Sequence, residues 1–508
     1  MFSKINSIYL LGMEGKNVTV EADVSDGLPG LILVGYLASE VREGGERVRT
    51  AIKNLGLSLP PKKITVNLSP ADFRKEGTGF DLAIAAAILS SYGGFQAKDL
   101  EDAVFFGELG LDGTVRGIPG VMALTAQARE SGFRRVFLPA ENVKEASFIG
   151  GISLYGVRDL KHLVDMLSGK RPICPEPPVN MKDLQDTMNR YDVDFAELSG
   201  QPLLRRAEVA AAGKHNLLVV GPAGAGKTML ARRMPTIMPG MDVEESIEIS
   251  KIYSVSGLLT EKEPLVKIRP FRAPHHTVSV QALTGGGRRP KPGEISLATG
   301  GILDELPEFS RAALETLRQP LEDREVTVSR VEATVTYPAN FQLVAAMNPC
   351  PCGHFPDLAR CRCTEGQITR YLQKISGPLL DRIDLCVEAS PVTYGDVRGG
   401  GENEASGAIR ARVEQAREIQ KERFMEENIR CNGEMAGRHI RKYCVLGKEE
   451  ETFMEEIFEK LALSARMHDR ILKVARTTAD LAGESKIRLS DLCEAVSYVK
   501  SREKFWGN

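Results

Sequence analysis

Three groups of residues in this 508-residue chain have types and spacing suited to chemistry. The first is Gly221-Pro222-Ala223-Gly224-Ala225-Gly226-Lys227-Thr228, set between the apolar run Leu217–Val220 and a helical pattern that begins at Met229. Spacing of the form G-x-x-x-x-G-K-T in a strand, loop and helix context is a P-loop. Glycines let backbone N–H groups turn inward around a β-phosphate, and the helix N-terminus behind them adds partial positive charge. Lys227 is expected to neutralise β/γ oxygens, and the Thr228 hydroxyl to ligate Mg²⁺. The stretch predicts ATP binding. The second group is the acidic pair in Gly301-Ile-Leu-Asp304-Glu305. There Asp304 is expected to hold Mg²⁺ through water and Glu305 to polarise an attacking water.

The third group is Cys350, Cys352, Cys361 and Cys363, two close thiol pairs with eight residues between them. Four soft ligands are the number that a tetrahedral structural zinc site needs. The C-x-C pairs are tighter than the commoner C-x₂-C, and His354 is an alternative fourth ligand. Unligated core thiols are the plainer alternative, but core thiols rarely cluster in a loop rich in Pro, Gly and Arg. His275 and His276 invite a metal as well. Adjacent histidines point in different directions on most backbones, which argues against a shared ion. Cys386 lies in an apolar run and reads as core. Cys174 reads as a solitary thiol, and Cys431, Cys444 and Cys493 have no partner spacing.

These residues must be positioned by more than one core, since a chain of this length calls for two to four domains. A hydrophobic content of 42% and a charged content of 26% are those of a soluble globular protein. No apolar run approaches the ~18–20 residues of a membrane span, and the start Met1-Phe-Ser-Lys-Ile-Asn lacks a signal-peptide core. A cytoplasmic protein with no membrane partner is expected. The net charge of −2 gives no global basic field, so DNA contact must come from local patches or from a ring of subunits. Nine cysteines are an odd number, and four of them fall within fourteen residues, which points to metal rather than disulfides.

Residues 1–170 alternate short apolar strands (Ser7–Leu11, Val18–Ala22, Leu31–Val34, Ile64–Leu68, Val104–Gly107, Val136–Leu138) with helices near 39–55, 79–91, 119–131 and 158–168. An α/β or α+β domain is expected there. Arg171-Pro-Ile-Cys-Pro-Glu-Pro-Pro178 opens a proline-rich, semi-rigid linker. Glycines and prolines exclude a regular element over 285–293. Residues 324–337 alternate with period two around Arg330-Val-Glu and predict a β-hairpin. Helices follow near 406–424, 448–462, 467–482 and 490–501, with Ser490 a candidate N-cap.

Two resemblances extend these readings. The runs Ile64-Thr-Val-Asn-Leu-Ser-Pro-Ala-Asp-Phe-Arg-Lys-Glu-Gly77, Phe80-Asp-Leu-Ala and Gly107-Glu-Leu-Gly-Leu-Asp-Gly-Thr-Val-Arg116 resemble the Lon-protease-like domain that opens the YifB/ComM family. Lon proteases use a Ser–Lys dyad. Those two positions fall on Gly79 and Met122, so the resemblance implies a structural or DNA-associated module rather than a protease. Gly200–Gly213, the P-loop, Met229–Pro235 and Tyr253–Leu259 are similar to an AAA+ domain of the magnesium-chelatase type. The family commonly reads four apolar residues before its Asp-Glu pair. This chain has only Ile302 and Leu303 after two glycines, so the strand carrying Asp304 reads two residues short.

The resemblance assigns further roles. It places Asn348, at the end of Phe341-Gln-Leu-Val-Ala-Ala-Met-Asn348, where it orients the attacking water. Arg382, in Ile375-Ser-Gly-Pro-Leu-Leu-Asp-Arg-Ile-Asp-Leu385, becomes an arginine finger reaching a neighbouring subunit's γ-phosphate. The simpler alternative for Arg382 is a pair with Asp381 or Asp384. Arg466, on the segment beginning Ser464-Ala-Arg466, is expected to touch the γ-phosphate held by its own chain. Arg288, Arg289 and Lys291 lie in a loop directed to a ring pore and are candidate phosphate contacts for DNA. A solvated basic loop is the alternative.

The architecture so implied is a multidomain α/β chain. It comprises an inactive α+β domain of the Lon C-terminal or ribosomal-S5 type over 1–170 and a linker over 171–195. An AAA+ core with the cysteine insertion at 350–363 follows over 196–395, and a helical lid over 396–508. The family implies a homo-hexamer using ATP and Mg²⁺ to work on single-stranded or branched DNA, as a branch-migration helicase in DNA uptake or recombination. Two rivals remain: a chelatase-like motor driving metal insertion, and a nucleotide-switched scaffold with weak hydrolysis.

Overall fold

The computed structural model describes residues 1–56, 59, 61–179, 184–185, 187–198, 201–287, 290–298, 308–329, 334–355, 357–391 and 404–507. They divide into two units. One holds Met1–Asp186, Val243–Val266 and Val331–Val335; the other holds Thr187–Asp242, Lys267–Arg330 and Thr336–Asn508. Val243–Val266, within the stretch that the sequence assigns to the ATPase core, thus packs with the first unit. Among the described residues no helix is long and apolar enough to cross a membrane.

The first unit is built on a mixed seven-stranded sheet. Its strands are β1 (Phe2–Leu11), β2 (Glu14–Ser25), β3 (Gly30–Val34), β4 (Lys63–Ser69), β5 (Ala103–Phe105), β6 (Arg135–Pro139) and β7 (Ser153–Val157). Their order is β3-β4-β2-β1-β5-β6-β7. Alternation sets the register: Val18, Val20, Ala22 and Val24 are buried on β2, and Val20 stands opposite Ile5 on one side and Leu68 on the other. Helix Asp81–Ser91 is apolar on all faces and buried along most of its length, which suits a helix enclosed between the sheet and helix Ser39–Asn54. Helix Val121–Glu130 packs against Val243–Ser256. Strand β7 escapes the sequence reading; Gly156 interrupts its apolar run.

In the second unit, β8 (Leu217–Val220), β9 (Val344–Met347) and β10 (Leu385–Glu388) form a parallel sheet with β8 in the centre. Leu217 pairs with both Val344 and Leu385. All four β8 residues are buried, as a parallel strand covered on both faces requires. The C-terminal helices are Ser406–Arg423, Lys448–Lys460, Ala465–Leu481 and Leu489–Trp506. Ile409, Val413, Ile471, Leu472 and Val496 share one core with Val219, Leu230 and Met234, so the helical region and the P-loop sheet fold as one body.

That core encloses a polar knot. Asp480, 1% exposed, accepts from Arg423 Nη1 at 2.8 Å, Arg476 Nε at 3.1 Å and Asn432 Nδ2 at 2.7 Å. Two local readings need correction. Ser490 lies inside its helix, because Arg488 is the N-cap and Asp491 accepts its backbone N–H. Residues 285–293 do contain a regular element, a short ladder pairing Gly285 with Pro292 and Gly286 with Lys291. Glu325–Ser329 and Thr334–Pro338 pair as the expected hairpin.

Candidate nucleotide site and metal centre

The P-loop leaves the C-terminal end of β8 and runs into helix Lys227–Ile237. Parallel sheets bind ligands at this edge. Gly221 donates its N–H to Met347 O at 3.1 Å, and a Cβ on it would stand 2.5 Å from Ala389 O. Only glycine fits that approach. Gly224 and Gly226 have φ of 79° and 73°, in the left-handed region. Lys227 Nζ lies within the hollow, donating to Gly221 O and Pro222 O at 2.8 Å and to Asn348 Oδ1 at 3.1 Å. Thr228 is exposed in the first turn of the helix. Asn348 follows β9 directly, so parallel pairing with β8 brings it to the same edge. Lys227, Thr228 and Asn348 therefore converge with a helix N-terminus, an arrangement suited to a phosphate chain with its counter-ion. Asp304 and Glu305 lie outside the described residues, as do Arg288 and Arg289; Lys291 is exposed.

Arg382 and Arg466 lie elsewhere. Arg382 precedes β10 and Asn216 precedes β8, which puts both at the N-terminal edge of the sheet. Asn216 Nδ2 donates to Arg382 O at 2.8 Å, and the Asn216 N–H to Asp384 Oδ2 at 2.9 Å. A four-residue strand of about 13 Å separates this edge from the P-loop. Arg466 lines one cavity with Arg382, Arg470, Lys473 and Asn216. Arg466, expected to touch the γ-phosphate of its own chain, thus stands with Arg382 at the edge opposite residues 221–228. Arg382 pairs with Glu322 and donates to Pro378 O at 2.6 Å, rather than pairing with Asp381 or Asp384.

Arg470 and Lys473, which the sequence reading passed over, also line this cavity, where Glu322, Asp381, Asp384 and Asp469 stand among the cations. Spacing at 466, 470 and 473 sets the three on one helical face, a legible signal. Burial lowers the pKa of both Arg470 and Lys473, while Asp384 opposes the shift. Arg470 is held by Asp381 O and by Asp384, its Nε 3.5 Å from the carboxylate.

The four thiols come together with all sulfurs within 4.8 Å of one another. Cys350 Sγ lies 3.4 Å from Cys352 Sγ and 3.8 Å from Cys361 Sγ, and the latter two are 3.6 Å apart. Zn–S bonds of about 2.3 Å imply tetrahedral S···S edges of about 3.8 Å, so the donor set fits zinc. Backbone N–H groups also converge on the sulfurs. That of Phe355 reaches Cys350 Sγ at 3.4 Å, and those of His354 and Arg362 push the Cys352 thiol down to about 6. His354 contributes its backbone and not a ligand; among the described residues the cluster consists of the four thiols. The His275 and His276 ring centroids lie 4.0 Å apart with the rings tilted by 34°, and among the described residues they join no such cluster. Cys386 is buried as expected, and burial raises its thiol to about 12.

In the first unit, Met122 is fully buried, and its N–H donates to Glu145 Oε1 at 3.1 Å and to Ser254 Oγ at 3.3 Å. Gly79 O accepts the Gly107 N–H at 2.9 Å. Neither position carries a nucleophile.

Comparison with known proteins matches family models along most of the chain. Residues 194–397 match "Magnesium chelatase, subunit ChlI", residues 20–142 "Subunit ChlI of Mg-chelatase", and residues 403–499 "Magnesium chelatase, subunit ChlI C-terminal". Competence protein ComM of Haemophilus influenzae is 42% identical over 495 residues, covering 96% of this chain and 95% of its own. The protein YifB of Salmonella typhimurium is 42% identical over 492 residues, with coverage of 96% and 95%. A Lon protease of Buchnera aphidicola is 27% identical over 163 residues, 30% of this chain and 21% of its own.

Proposed function

Because the chain belongs to the YifB/ComM family of magnesium-chelatase-like AAA+ ATPases, we propose that it is an ATP-hydrolysing motor acting as a homo-hexameric ring on single-stranded or branched DNA. The observation that carries this reading is the separation of Lys227 and Asn348 from Arg382 and Arg466 at opposite edges of one sheet. A subunit so arranged holds phosphate at one face and presents arginines at another, so its catalytic site is completed by a neighbour.

In this reading Gly221 to Thr228 cradle the phosphates, and Thr228 with Asp304 holds Mg²⁺. Glu305 polarises water, Asn348 orients it, and Arg382 and Arg466 of the adjacent subunit stabilise the charge that develops. Cys350, Cys352, Cys361 and Cys363 hold a structural zinc. Residues 1–170 form a Lon-like domain of the ribosomal-S5 type without a catalytic dyad, joined by 171–195 to the AAA+ core over 196–395 and the lid over 396–508. Work on DNA, in uptake or recombination, is supported by the name of the Haemophilus influenzae relative, a competence protein, and by the basic loop around Lys291.

The test is strand displacement from a branched DNA by the assembled protein with ATP. ATP-dependent displacement supports the motor; its absence from a demonstrated ring overturns the helicase reading. DNA-stimulated ATP turnover separates this reading from a chelatase-like motor. Metal analysis of wild type and Cys350→Ser tests the zinc site, with one zinc per chain expected in the former and less in the latter.

A further inference from the structure

We infer that the four-thiol knot controls the nucleotide site: zinc held by Cys350, Cys352, Cys361 and Cys363 fixes Asn348 and braces the P-loop, so loss of the metal weakens nucleotide binding. The inference rests on the zinc reading above and goes beyond it.

The chain path sets up the coupling. Asn348 is two residues from the first thiol in Asn348-Pro349-Cys350-Pro351-Cys352-Gly353. Two prolines restrict this backbone, so a displacement at Cys350 or Cys352 is transmitted rather than absorbed. Gly353 closes a tight turn, with φ of 77° and its N–H donated to Cys350 O at 3.0 Å. That turn lays the knot against the phosphate cradle. A Cβ on Gly353 would stand 3.7 Å from both Ala223 N and Asn348 Cγ. Asn348 Oδ1 in turn accepts from Lys227 Nζ at 3.1 Å. The thiol loop therefore turns beside the third P-loop residue and the water-orienting amide, leaving at Gly353 the space that a Cβ would fill, and that amide accepts from the phosphate-binding lysine.

The far end of the knot is also fixed. Thr364, directly after Cys363, accepts the Gln367 N–H while Gln367 Oε1 accepts the Thr364 N–H, a capping box that starts helix Glu365–Leu372. That helix leads to the segment carrying Arg382. The knot is thus the covalent connection between the residue that reads a subunit's own nucleotide and the arginine offered to the next. Cys350 is buried, whereas Cys352 is exposed and Cys361 and Cys363 half-buried, so apolar packing alone does little to hold the loop. Metal ligation supplies the missing constraint.

The experiment uses the full chain and a fluorescent ATP analogue. Zinc is quantified, removed with a chelator that is then cleared by gel filtration, and restored by adding zinc alone. Stripping is expected to weaken analogue binding about tenfold, the order set by losing one charge-assisted hydrogen bond, and one equivalent of zinc to restore it. A second arm uses Gly353→Val, which places a side chain between Ala223 and Asn348 without replacing a ligand, at the cost of the left-handed backbone at φ 77°, so its zinc content is measured beside its affinity. It is expected to retain zinc and still bind the analogue about tenfold more weakly. Absence of stoichiometric zinc in the starting protein overturns the zinc reading together with the inference. Zinc present, with affinity unchanged in the stripped protein or in zinc-loaded Gly353→Val, overturns the inference and leaves the zinc reading intact. Should stripping unfold the chain, the Gly353→Val arm decides alone.

Discussion

Gly221→Ala should separate phosphate binding from folding. A Cβ at residue 221 meets Ala389 O at 2.5 Å and Ala389 Cβ at 2.8 Å, and both belong to the residue that follows β10. Ordinary contact begins near 3.4 Å, so one backbone must retreat by roughly 0.9 Å. Ala389 is tied by its N–H to Val220 O at 2.8 Å and lies in the core, which leaves the P-loop as the part that yields. Overpacking of this kind costs about 1–3 kcal/mol of stability. A misplacement near 1 Å in a positioned catalytic group lowers turnover about a hundredfold. Gly483→Ala, after helix Ala465–Leu481 and outside the P-loop, is the control: nothing lies within 4 Å of its Cβ, and the cost is the left-handed backbone at φ 72°, about 1–2 kcal/mol. The assay is nucleotide titration and ATP turnover beside thermal melting for both variants. The Gly221 variant is expected to lose far more turnover than the Gly483 variant at a similar loss of stability. Turnover of Gly221→Ala within twofold of wild type would refute it.

Other perturbations address separate parts of the molecule. Asp480→Ala leaves Arg423 and Arg476 buried without their shared carboxylate and should cost about 3–5 kcal/mol, read as an earlier denaturant midpoint of the second unit. Burial raises the pKa of Glu145 above 4.5, although Ser254, the Met122 N–H and Asn142 donate to it. The folded chain therefore holds this proton better than the unfolded chain, and the first unit should lose stability as pH rises from 4.5 through the raised value; Glu145→Gln should flatten that part of the melting profile. Glu305→Gln should bind ATP and lose most turnover. A rate equal to wild type would support the scaffold reading and remove Glu305 from catalysis.

The local parts of this site are legible in the sequence because their physics is local. Gly221 to Thr228 need only a strand, a turn and a helix, and the thiol pairs declare themselves by spacing. Contacts between distant residues are not written there. Asn348 meets Lys227 across 121 residues only because β9 pairs in parallel with β8. Arg382 finds Glu322 rather than its neighbours Asp381 and Asp384 because the turn before β10 aims it along the sheet's other edge. The location of Arg466 follows from which end of β8 its helix packs beside, and no periodicity encodes that. The same holds for Val243–Val266: a helix that buries Ser246, Ser250 and Ser254 beside Ile249 and Ile252 does not name the core that receives it, here the one beside Val121–Glu130. Strand β7 is hidden by the glycine inside it, Gly156, which breaks its apolar run, whereas β2 is marked by clean alternation.

A site completed between subunits is the centre of this account, and mixing two inactive variants tests it most directly. Lys227→Ala keeps Arg382 and Arg466 but cannot hold phosphate, whereas Arg382→Ala keeps the P-loop but cannot serve its neighbour. Each alone should be without ATP turnover. Mixed in equal amounts and co-assembled, they regenerate intact sites at about a quarter of their interfaces by random placement in a closed ring. Turnover is expected to recover toward that fraction. No recovery in demonstrably mixed assemblies would contradict it.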